Sequence, residues 1–269
     1  MSEERFVAIT GTSRGLGKVL ALELARAGYR VLAGVRSEPD APALAARPDA
    51  ITPLVMDVTS AAEVTSAAER AAAITGERGL HGLILNAGQS TIGPLELLDP
   101  DELDQLFAVN VTGPLRVTQS FLPLVRAARG RVVFIGGVMG HSSFPLAGAG
   151  CATKFATEAI ADALRIELEP EARVTVVDPA SIATGARTAQ RARLEGLLAS
   201  LSPDERGRYG AALEQLRSML DQSDSDAIAP ERVAALVLRI LATEHPKARY
   251  WIGKHVSATR WLERLPTRL

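Results

Sequence analysis

Short apolar runs alternate with longer amphipathic segments along this 269-residue chain, and this alternation limits its possible folds more than any other feature. The apolar runs are rich in β-branched residues and bounded by Gly, Asp or Pro, which is typical of buried strands. These runs are RFVAIT, RVLAGV, ITPLVMDV, GLHGLILN, RVVFIGG, RVTVVDP and RYWIG. The segments between them have helical periodicity. Strands that alternate with helices pair in parallel, with helices on both faces, so the sequence predicts a doubly wound α/β sheet.

The bulk composition indicates one well-cored globular domain spanning residues 1–269. The chain is 47% hydrophobic and 23% charged, and its net charge is −1. A balance of 30 basic and 31 acidic residues favours neither nucleic acid nor a membrane surface as a partner. The single cysteine, Cys151, excludes an internal disulfide, and no Cys/His cluster suggests a metal. The N-terminus lacks a signal-peptide pattern, and no apolar run is long enough to span a membrane, so we expect a cytoplasmic protein.

One segment, residues 185–229, interrupts the alternation of strands and helices. It is mostly helical and highly charged, and it follows the run RVTVVDP. An insertion after the carboxyl end of a strand lies on the ligand side of such a sheet. The segment is therefore predicted to be a helical lid over a substrate, or a solvated helical hairpin, and the two descriptions are compatible.

A glycine-rich turn, VAITGTSRGLG, joins the first predicted strand to the first helix. Glycines let the backbone turn tightly and approach a pyrophosphate, which the N–H groups and positive dipole end of the helix then bind. The strand–turn–helix context makes the motif specific, and its spacing is TGxxxGxG rather than GxGxxG. The residues expected to contact a dinucleotide here are Gly11, Thr12, Ser13, Arg14, Gly15, Leu16 and Gly17.

The end of the second strand indicates which dinucleotide is bound. Sites that prefer NAD place an acid there for the ribose 2′-hydroxyl, whereas this chain has Arg36. Arg14 and Arg36 are predicted to grip a 2′-phosphate, which makes NADP(H) the expected cofactor. The alternative is that both are ordinary surface residues in an Arg-rich chain.

Two further motifs follow the third and fourth strands. Asp57 and Val58, in VMDVT, fit a contact to the adenine edge. Asn86, Ala87 and Gly88, in LILNAG, form a turn of small residues against which the cofactor can lie flat. Their order along the chain is what makes these short motifs informative.

With its TGxxxGxG, DV, NAG, VN and RYWIG elements, the sequence resembles the short-chain dehydrogenase/reductase family over nearly its whole length. The segment CATKFATEAIADALRIELEP and the long lid resemble the steroid and retinol dehydrogenase branch. The resemblance implies a Rossmann-type sheet of about seven strands and NAD(P)-linked chemistry on a small molecule. It also implies a homodimer or homotetramer packed through two long central helices, and cofactor contacts at Pro179, Ile182 and Thr184.

The catalytic tetrad that the resemblance implies is only half present. Asn110, in FAVNVTG, matches the family's Asn, and Lys154 matches its Lys, so both are expected in catalysis and cofactor binding. The family's Tyr precedes its Lys by four residues, and its Ser precedes the Tyr by thirteen. Those positions hold Gly150 and Gly137 in this chain. Glycine offers no donor, acceptor or titratable group, so the usual proton donor and carbonyl anchor are expected to be missing.

Other polar residues are candidate replacements. His141 follows the fifth strand and is either a catalytic group active near neutral pH or a loop histidine bonded to backbone. Tyr209, in the lid, either reaches inward or is exposed, whereas Tyr29 and Tyr250 are expected far from the nicotinamide. Asp178 ends the sixth strand and is expected to cap a turn.

Three functions are compatible with this pattern. The first is an NADP(H)-binding enzyme that promotes a non-redox step, such as cyclisation, isomerisation or dehydration, on a bulky apolar small molecule. The second is an NADPH-dependent reductase with an unusual proton source, and the third is a non-catalytic NADP(H)-binding scaffold or sensor. The missing donor pair favours the first and third, and the lid favours the first two. The fold alone does not choose among them.

Overall fold

A computed structural model describes residues 4–40, 49–222, 226–254 and 256 of the chain. Parts of the predicted domain, residues 1–269, and of the predicted lid, residues 185–229, lie outside these ranges. The strands are β1 Phe6–Ile9, β2 Arg30–Val35, β3 Ile51–Val55, β4 Gly82–Leu85, β5 Arg131–Ile135, β6 Arg173–Pro179 and β7 Arg249–Ile252. The helices are α1 Gly15–Arg26, α2 Ala61–Thr75, α3 Pro100–Phe107, α4 Gly113–Ala127, α5 Gly148–Glu167, α6 Ala186–Ser200, α7 Pro203–Gln222 and α8 Pro230–Ala242.

The seven strands form one parallel sheet in the order β3-β2-β1-β4-β5-β6-β7, which confirms the predicted fold. The strand order changes direction at β1, because β2 and β3 lie on one side of it and β4 to β7 lie on the other. The carboxyl ends of the neighbouring strands β1 and β4 therefore flank the crevice where doubly wound folds bind their ligands.

Two apolar layers cover the sheet, one on each face. One layer packs side chains of α2, α4 and α5 against the strands and includes the fully buried Phe121 and Phe134. The other packs α1 and α8, with Leu20, Leu24 and Ile240 at its centre. Because both faces are covered, central strands such as β1 are buried along their whole length, which explains why they read as continuous apolar runs.

The long helix predicted from DELDQLFAVNVTGPLRVTQSFLPLVRAA is interrupted in the structure. Residues Ala108–Thr112 form a π-helical turn between α3 and α4. Pro114 then lies at the start of α4, where its missing N–H is tolerated. A side chain at Gly113 would press on Val58, so α4 approaches the end of the β3 segment closely. The π turn holds Asn110, and such turns occur frequently at functional sites.

The segment after β6 forms two helices, α6 and α7, that pack against the loop after β4. A third apolar cluster joins them, made of Ile92, Leu194, Leu198, Leu201 and Leu213. Arg193 adds polar contacts by donating to the Ile92 carbonyl and to the Glu102 carboxylate, each at 2.8 Å. Within the described ranges, no helix is both long and apolar enough to cross a membrane.

Candidate active site

The glycine-rich turn packs so tightly that side chains are excluded from it. Gly11 has φ +71°, and a Cβ there would lie 2.9 Å from the Cα of Ala87. A Cβ on Gly17 would overlap the Gly11 carbonyl oxygen and lie 2.5 Å from Asn86 Nδ2. Gly15, with φ +59°, has only Thr184 nearby, at 3.8 Å from its would-be Cβ. The turn is therefore compressed toward β4 and only in ordinary van der Waals contact with Thr184.

The N-terminus of α1 suits an anion. Its N-cap residue, Arg14, makes no side-chain cap, and the first turn contains no acidic residue. The N–H groups and positive dipole end that open the helix remain for a bound group. A pyrophosphate matches this end of the helix in charge.

Hydrogen bonds fasten the turn to β4. Thr10 Oγ1 accepts from the backbone N–H groups of Asn86 and Ala87, at 3.0 and 2.9 Å. Asn86 Nδ2 donates to the carbonyls of Thr10 and Gly11, both at 3.0 Å. The side chain of Asn86 therefore holds the crevice in shape.

Most of the remaining predicted cofactor residues lie at or just beyond the carboxyl ends of the strands. Arg14 and Arg36 are both exposed, and Arg36 directly follows β2. Asp57 Oδ1 accepts from the backbone N–H of Thr59, at 2.8 Å, which shapes the turn after β3. The other members of the predicted set at this edge are buried Thr12 and Val58, partly buried Ser13, exposed Gly88, Pro179 at the end of β6, and Ile182, which bridges to Ile228.

Asn110 is buried, and its carboxamide is fully engaged. Its Oδ1 accepts from the N–H of Gln89 at 2.8 Å, and its Nδ2 donates to the Gln89 carbonyl at 2.8 Å and to Thr153 Oγ1 at 3.1 Å. The side chain therefore ties the loop after β4 to α5.

Lys154 is partly buried on α5, and its Nζ donates to the carbonyl of Ile135, at 2.8 Å. Burial lowers the pKa of its ammonium group, against the raising effect of the Asp178 and Glu158 carboxylates. The end of β5 and the helix α5 thus meet at an ammonium group that gives up its proton more readily than an exposed lysine.

The two glycines near Lys154 differ from each other. Gly150 lies one helical turn before Lys154, and a Cβ there would meet only the Met139 methyl at 3.1 Å and the Thr91 carbonyl at 3.9 Å. Gly137 has φ +156°, a backbone conformation that other residues rarely adopt. Its N–H donates to Asp178 Oδ1 at 2.8 Å, which confirms that Asp178 caps a turn. A side chain at residue 150 requires a small shift of the Met139 methyl, whereas a side chain at residue 137 is strained by the backbone itself.

A buried network of charged side chains lies behind the Gly137 turn. His141 Nε2 is 3.1 Å from Asp178 Oδ2 and 3.6 Å from Glu158 Oε1, and its ring stacks on Trp251 at 4.3 Å. The Nε2 atom of the His141 ring thus faces two carboxylates. Arg249 donates to Glu158 Oε2 at 2.7 Å. The sequence analysis missed Glu158 and Arg249; only the four-residue spacing of Glu158 from Lys154 could have indicated the former.

The surroundings of Glu158 in this network shift its pKa. Burial, helped by the Asp178 charge, raises the pKa of Glu158 to about 7, although Arg249 and His141 oppose the rise. The ligand atoms of His141, Glu158 and Asp178 lie within 4.8 Å of one another, a geometry that could hold a metal ion. The cations of Lys154 and Arg249 already balance the two carboxylates, so a divalent ion would add uncompensated charge to a buried site.

The other candidate residues lie in different settings. Tyr29 is buried against His81, and the Tyr250 hydroxyl accepts from the backbone N–H of Lys247. The Tyr209 hydroxyl donates to the Glu96 carboxylate, which raises the pKa of the phenol. Cys151 is a buried free thiol.

Comparisons with known proteins agree with this architecture. The sequence model of a family described as short chain dehydrogenase matches residues 5–195. Retinol dehydrogenase 16 of Mus musculus is 34% identical over 261 residues, covering 93% of this chain and 81% of that protein.

Two solved structures illustrate the fold similarity. A short-chain dehydrogenase from Streptomyces avermitilis is 25% identical, with a TM-score of 0.79 over 96% of this chain and 91% of the other. A gluconate 5-dehydrogenase from Burkholderia cenocepacia, in complex with NADP and tartrate, is 22% identical, with a TM-score of 0.75 over 94% and 95% of the two chains.

Proposed function

Since the chain belongs to the short chain dehydrogenase family, we propose that it is an NADP(H)-binding enzyme that promotes a non-redox step on a bulky apolar small molecule. Cyclisation, isomerisation and dehydration are the reactions of this kind. The observation that carries the proposal is the pairing of an intact nucleotide crevice with a site that has glycine at residues 137 and 150.

The crevice supports the cofactor assignment. The uncapped N-terminus of α1, which begins at Gly15, would hold the pyrophosphate, and Arg14 and Arg36 would hold the ribose 2′-phosphate. Asp57 and Val58 would border the adenine, and Asn86, Ala87 and Gly88 would line the floor of the groove. Lys154 and Thr184 would lie beside the nicotinamide ribose and carboxamide. NADP(H), when bound, supplies a hydride donor or acceptor.

The catalytic half of the site supports a non-redox step. Reduction of a ketone leaves an alkoxide that must be protonated, and general acid assistance is worth roughly 10²–10⁴ in rate. We propose that Gly137 and Gly150 stand where the family has Ser and Tyr, which removes that assistance. We propose instead that an apolar substrate binds near Gly150 when the flexible Met139 side chain moves aside, and that it is held there in a reactive conformation.

A second candidate is an NADPH-dependent reductase with an unusual proton source. The specific observation in its favour is the similarity over 93% of this chain to a protein named as a retinol dehydrogenase. The proton would then come from water, from a hydroxyl of the substrate, or from His141 through movement of its loop.

Nucleotide stoichiometry distinguishes the two candidates. A panel of bulky apolar ketones, aldehydes and alcohols is incubated with the protein and NADPH, NADP⁺ or neither. Mass spectrometry measures product, and absorbance follows the nicotinamide. We expect product without net change in nicotinamide absorbance. One NADPH oxidised per product would overturn the non-redox step in favour of the reductase.

We further propose that the protein is cytoplasmic and self-associates through α4 and α5. The 43% exposure of Phe155 and 71% exposure of Ile166 on α5 support an apolar contact there. Sedimentation of the purified chain tests this, and a monomer at micromolar concentration would contradict it.

A further inference from the structure

We propose that Glu158, Asp178 and His141 form a proton-operated latch, which holds the turn of residues 136–141 against α5 while the Glu158 carboxyl carries its proton. When that proton is lost, the turn is released. The inference names pH as a control on the catalytic half of the site, so it deepens the proposed function and rests on it for the role of Gly137. The latch itself is measured on the protein alone.

The turn after β5 is packed around two carboxyl groups. A Cβ on Gly136 would overlap Asp178 Oδ1 and would lie 3.0 Å from Glu158 Oε1. A Cβ on Gly140 would lie 3.0 Å from Glu158 Cγ. The two glycines therefore leave the room that these acidic side chains occupy. Because the contact is so close, a change in the charge of Glu158 acts on the turn directly.

Hydrogen bonds fasten the turn to Asp178 but leave one oxygen of Glu158 without a donor. Asp178 Oδ1 accepts from the Gly137 N–H at 2.8 Å, and Oδ2 lies 3.1 Å from His141 Nε2. Glu158 Oε1 is 3.6 Å from the same nitrogen and has no hydrogen-bond partner among the described residues. One ring nitrogen donates at most one hydrogen, so it serves only one of the two carboxylates. A proton on Glu158 removes the need for a second donor.

Charged or titratable groups from the turn, β6, β7 and α5 face Glu158, and they are His141, Asp178, Arg249 and Lys154. Arg249 donates to Glu158 Oε2 at 2.7 Å, so that oxygen has a donor whether or not the group is protonated. Burial, helped by the Asp178 charge, raises the pKa of Glu158 to about 7 against the opposing effects of Arg249 and His141. The carboxyl therefore exchanges its proton near neutrality.

Loss of the Glu158 proton to water leaves two negative carboxylates close together in a buried setting. They repel each other, and Oε1 becomes a charged oxygen with no donor among the described residues. Outward movement of the turn admits water to that oxygen and relieves both effects. It also lengthens the bond from the Gly137 N–H to Asp178. Because the closed turn binds the proton more tightly than the open turn, low pH favours the closed turn.

Amide hydrogen exchange followed by NMR tests the latch without substrate or nucleotide. The N–H groups of Gly137 and Gly140, which donate to Asp178 and to the Gly137 carbonyl, report on the turn. Their protection, relative to an unstructured chain, is measured at about pH 6 and about pH 8. We expect it to fall about tenfold, because the pKa of Glu158 is about 7 in the closed turn and returns toward its ordinary 4.5 in the open one.

The opening is expected to be local. The amides of β1 lie in the centre of the sheet and exchange only when the whole chain unfolds, so they should stay at least about tenfold more protected than the turn. A turn that exchanges as slowly as β1 would overturn the latch.

A matched pair of variants isolates the proton. Glu158→Gln keeps the shape of the side chain but does not titrate, so the protection of the turn should no longer depend on pH. Glu167→Gln makes the same change at an exposed position of α5 and should keep the tenfold fall seen in the parent. The same pH dependence in Glu158→Gln would overturn the proposal.

A measurement on the parent protein keeps the test decisive if Glu158→Gln does not fold. The carboxyl ¹³C shift of Glu158 reports its protonation directly. Titration near pH 7, coincident with the loss of protection in the turn, supports the latch. Titration near the ordinary value of 4.5 would overturn it.

The latch and the proposed function fail in different ways. Protection of the turn that does not change with pH, together with product formed without NADPH consumption, would overturn the latch and leave the non-redox function standing. Stoichiometric NADPH oxidation together with pH-dependent protection that Glu158→Gln removes would overturn the non-redox function and support the latch.

Discussion

The ligand-binding edge of the sheet has two halves: a nucleotide half, formed by the glycine-rich turn of residues 11–17, and a catalytic half around Gly137, Gly150 and Lys154. Glycine serves a different purpose in each half. At the nucleotide half, Gly11 and Gly17 are glycines because neighbouring backbone leaves no room for a side chain. At the catalytic half, a Cβ on Gly150 would meet the flexible end of Met139 at 3.1 Å and the Thr91 carbonyl at 3.9 Å, so a side chain needs only a small shift of the methionine. The first half is constrained by rigid backbone, whereas the neighbour nearest to Gly150 is the end of a side chain that can move. Substitutions should therefore have opposite consequences in the two halves.

A matched pair of alanine substitutions tests this difference, and it has the largest expected effect. Gly17→Ala places a methyl group onto the Gly11 carbonyl and should lower the free energy of unfolding by about 3 kcal/mol. Gly150→Ala should change it by less than about 1 kcal/mol, because the helix gains propensity while the Met139 methyl moves aside. Denaturant unfolding of both variants measures the difference. Equal destabilisation would show that packing excludes a side chain equally at the two positions.

The nucleotide half should also carry the preference for NADP(H). Removing both guanidinium groups, in Arg14→Ala with Arg36→Ala, should weaken NADPH binding roughly 100-fold, or about 2.7 kcal/mol, because each makes charge-assisted bonds to the 2′-phosphate. NADH binding should stay the same. Titration calorimetry measures the affinity for both nucleotides. Equal losses of affinity for NADPH and NADH would show that the arginines do not bind the 2′-phosphate.

The catalytic half should show a pH-dependent stability that the nucleotide half lacks. The folded state raises the pKa of Glu158 to about 7, so this group binds a proton more tightly in the folded than in the unfolded chain. Its contribution to stability is fully present below the unfolded pKa near 4.5 and is lost as pH rises through about 7, at no more than about 1.4 kcal/mol per pH unit.

Glu158→Gln should remove that loss, because glutamine does not titrate. Unfolding in guanidinium at about pH 5 and about pH 8 compares the variant with the parent protein. Glu167→Gln, an exposed position on the same helix, makes the same chemical change without burial and is the control. Parallel stability–pH curves for the parent and Glu158→Gln would contradict the assignment.

The strands and the nucleotide motifs could be predicted because local patterns determine them. RVVFIGG, for example, becomes β5 over Arg131–Ile135, and its last two residues leave the strand to form the turn that Asp178 caps. The position of the glycine-rich turn in the fold could also be predicted, because a strand, a tight turn and a helix in succession leave little freedom of arrangement.

The interruption of the long helix and the charged network could not be predicted in the same way. The π turn at Asn110 depends on contacts with Gln89 and Thr153, which come from other parts of the chain. Glu158 and Arg249 are 91 residues apart and meet only because β7 lies beside β6. Such long-range pairs leave no periodic signal, and the strain at Gly137 is a property of the folded turn that a glycine in a sequence does not reveal.

The most direct test of the central claim is to return a phenol to the catalytic half and follow NADPH oxidation. Gly150→Tyr is preferred to Gly137→Ser, because residue 150 is helical and its nearest neighbour is the flexible end of Met139, whereas residue 137 has a strained backbone for any side chain. With a small diketone as acceptor, the parent should bind NADPH without oxidising it, and the Gly150→Tyr variant should show a measurable loss of NADPH absorbance. Oxidation by the parent at the rate of the variant would contradict the claim that this half lacks its proton donor.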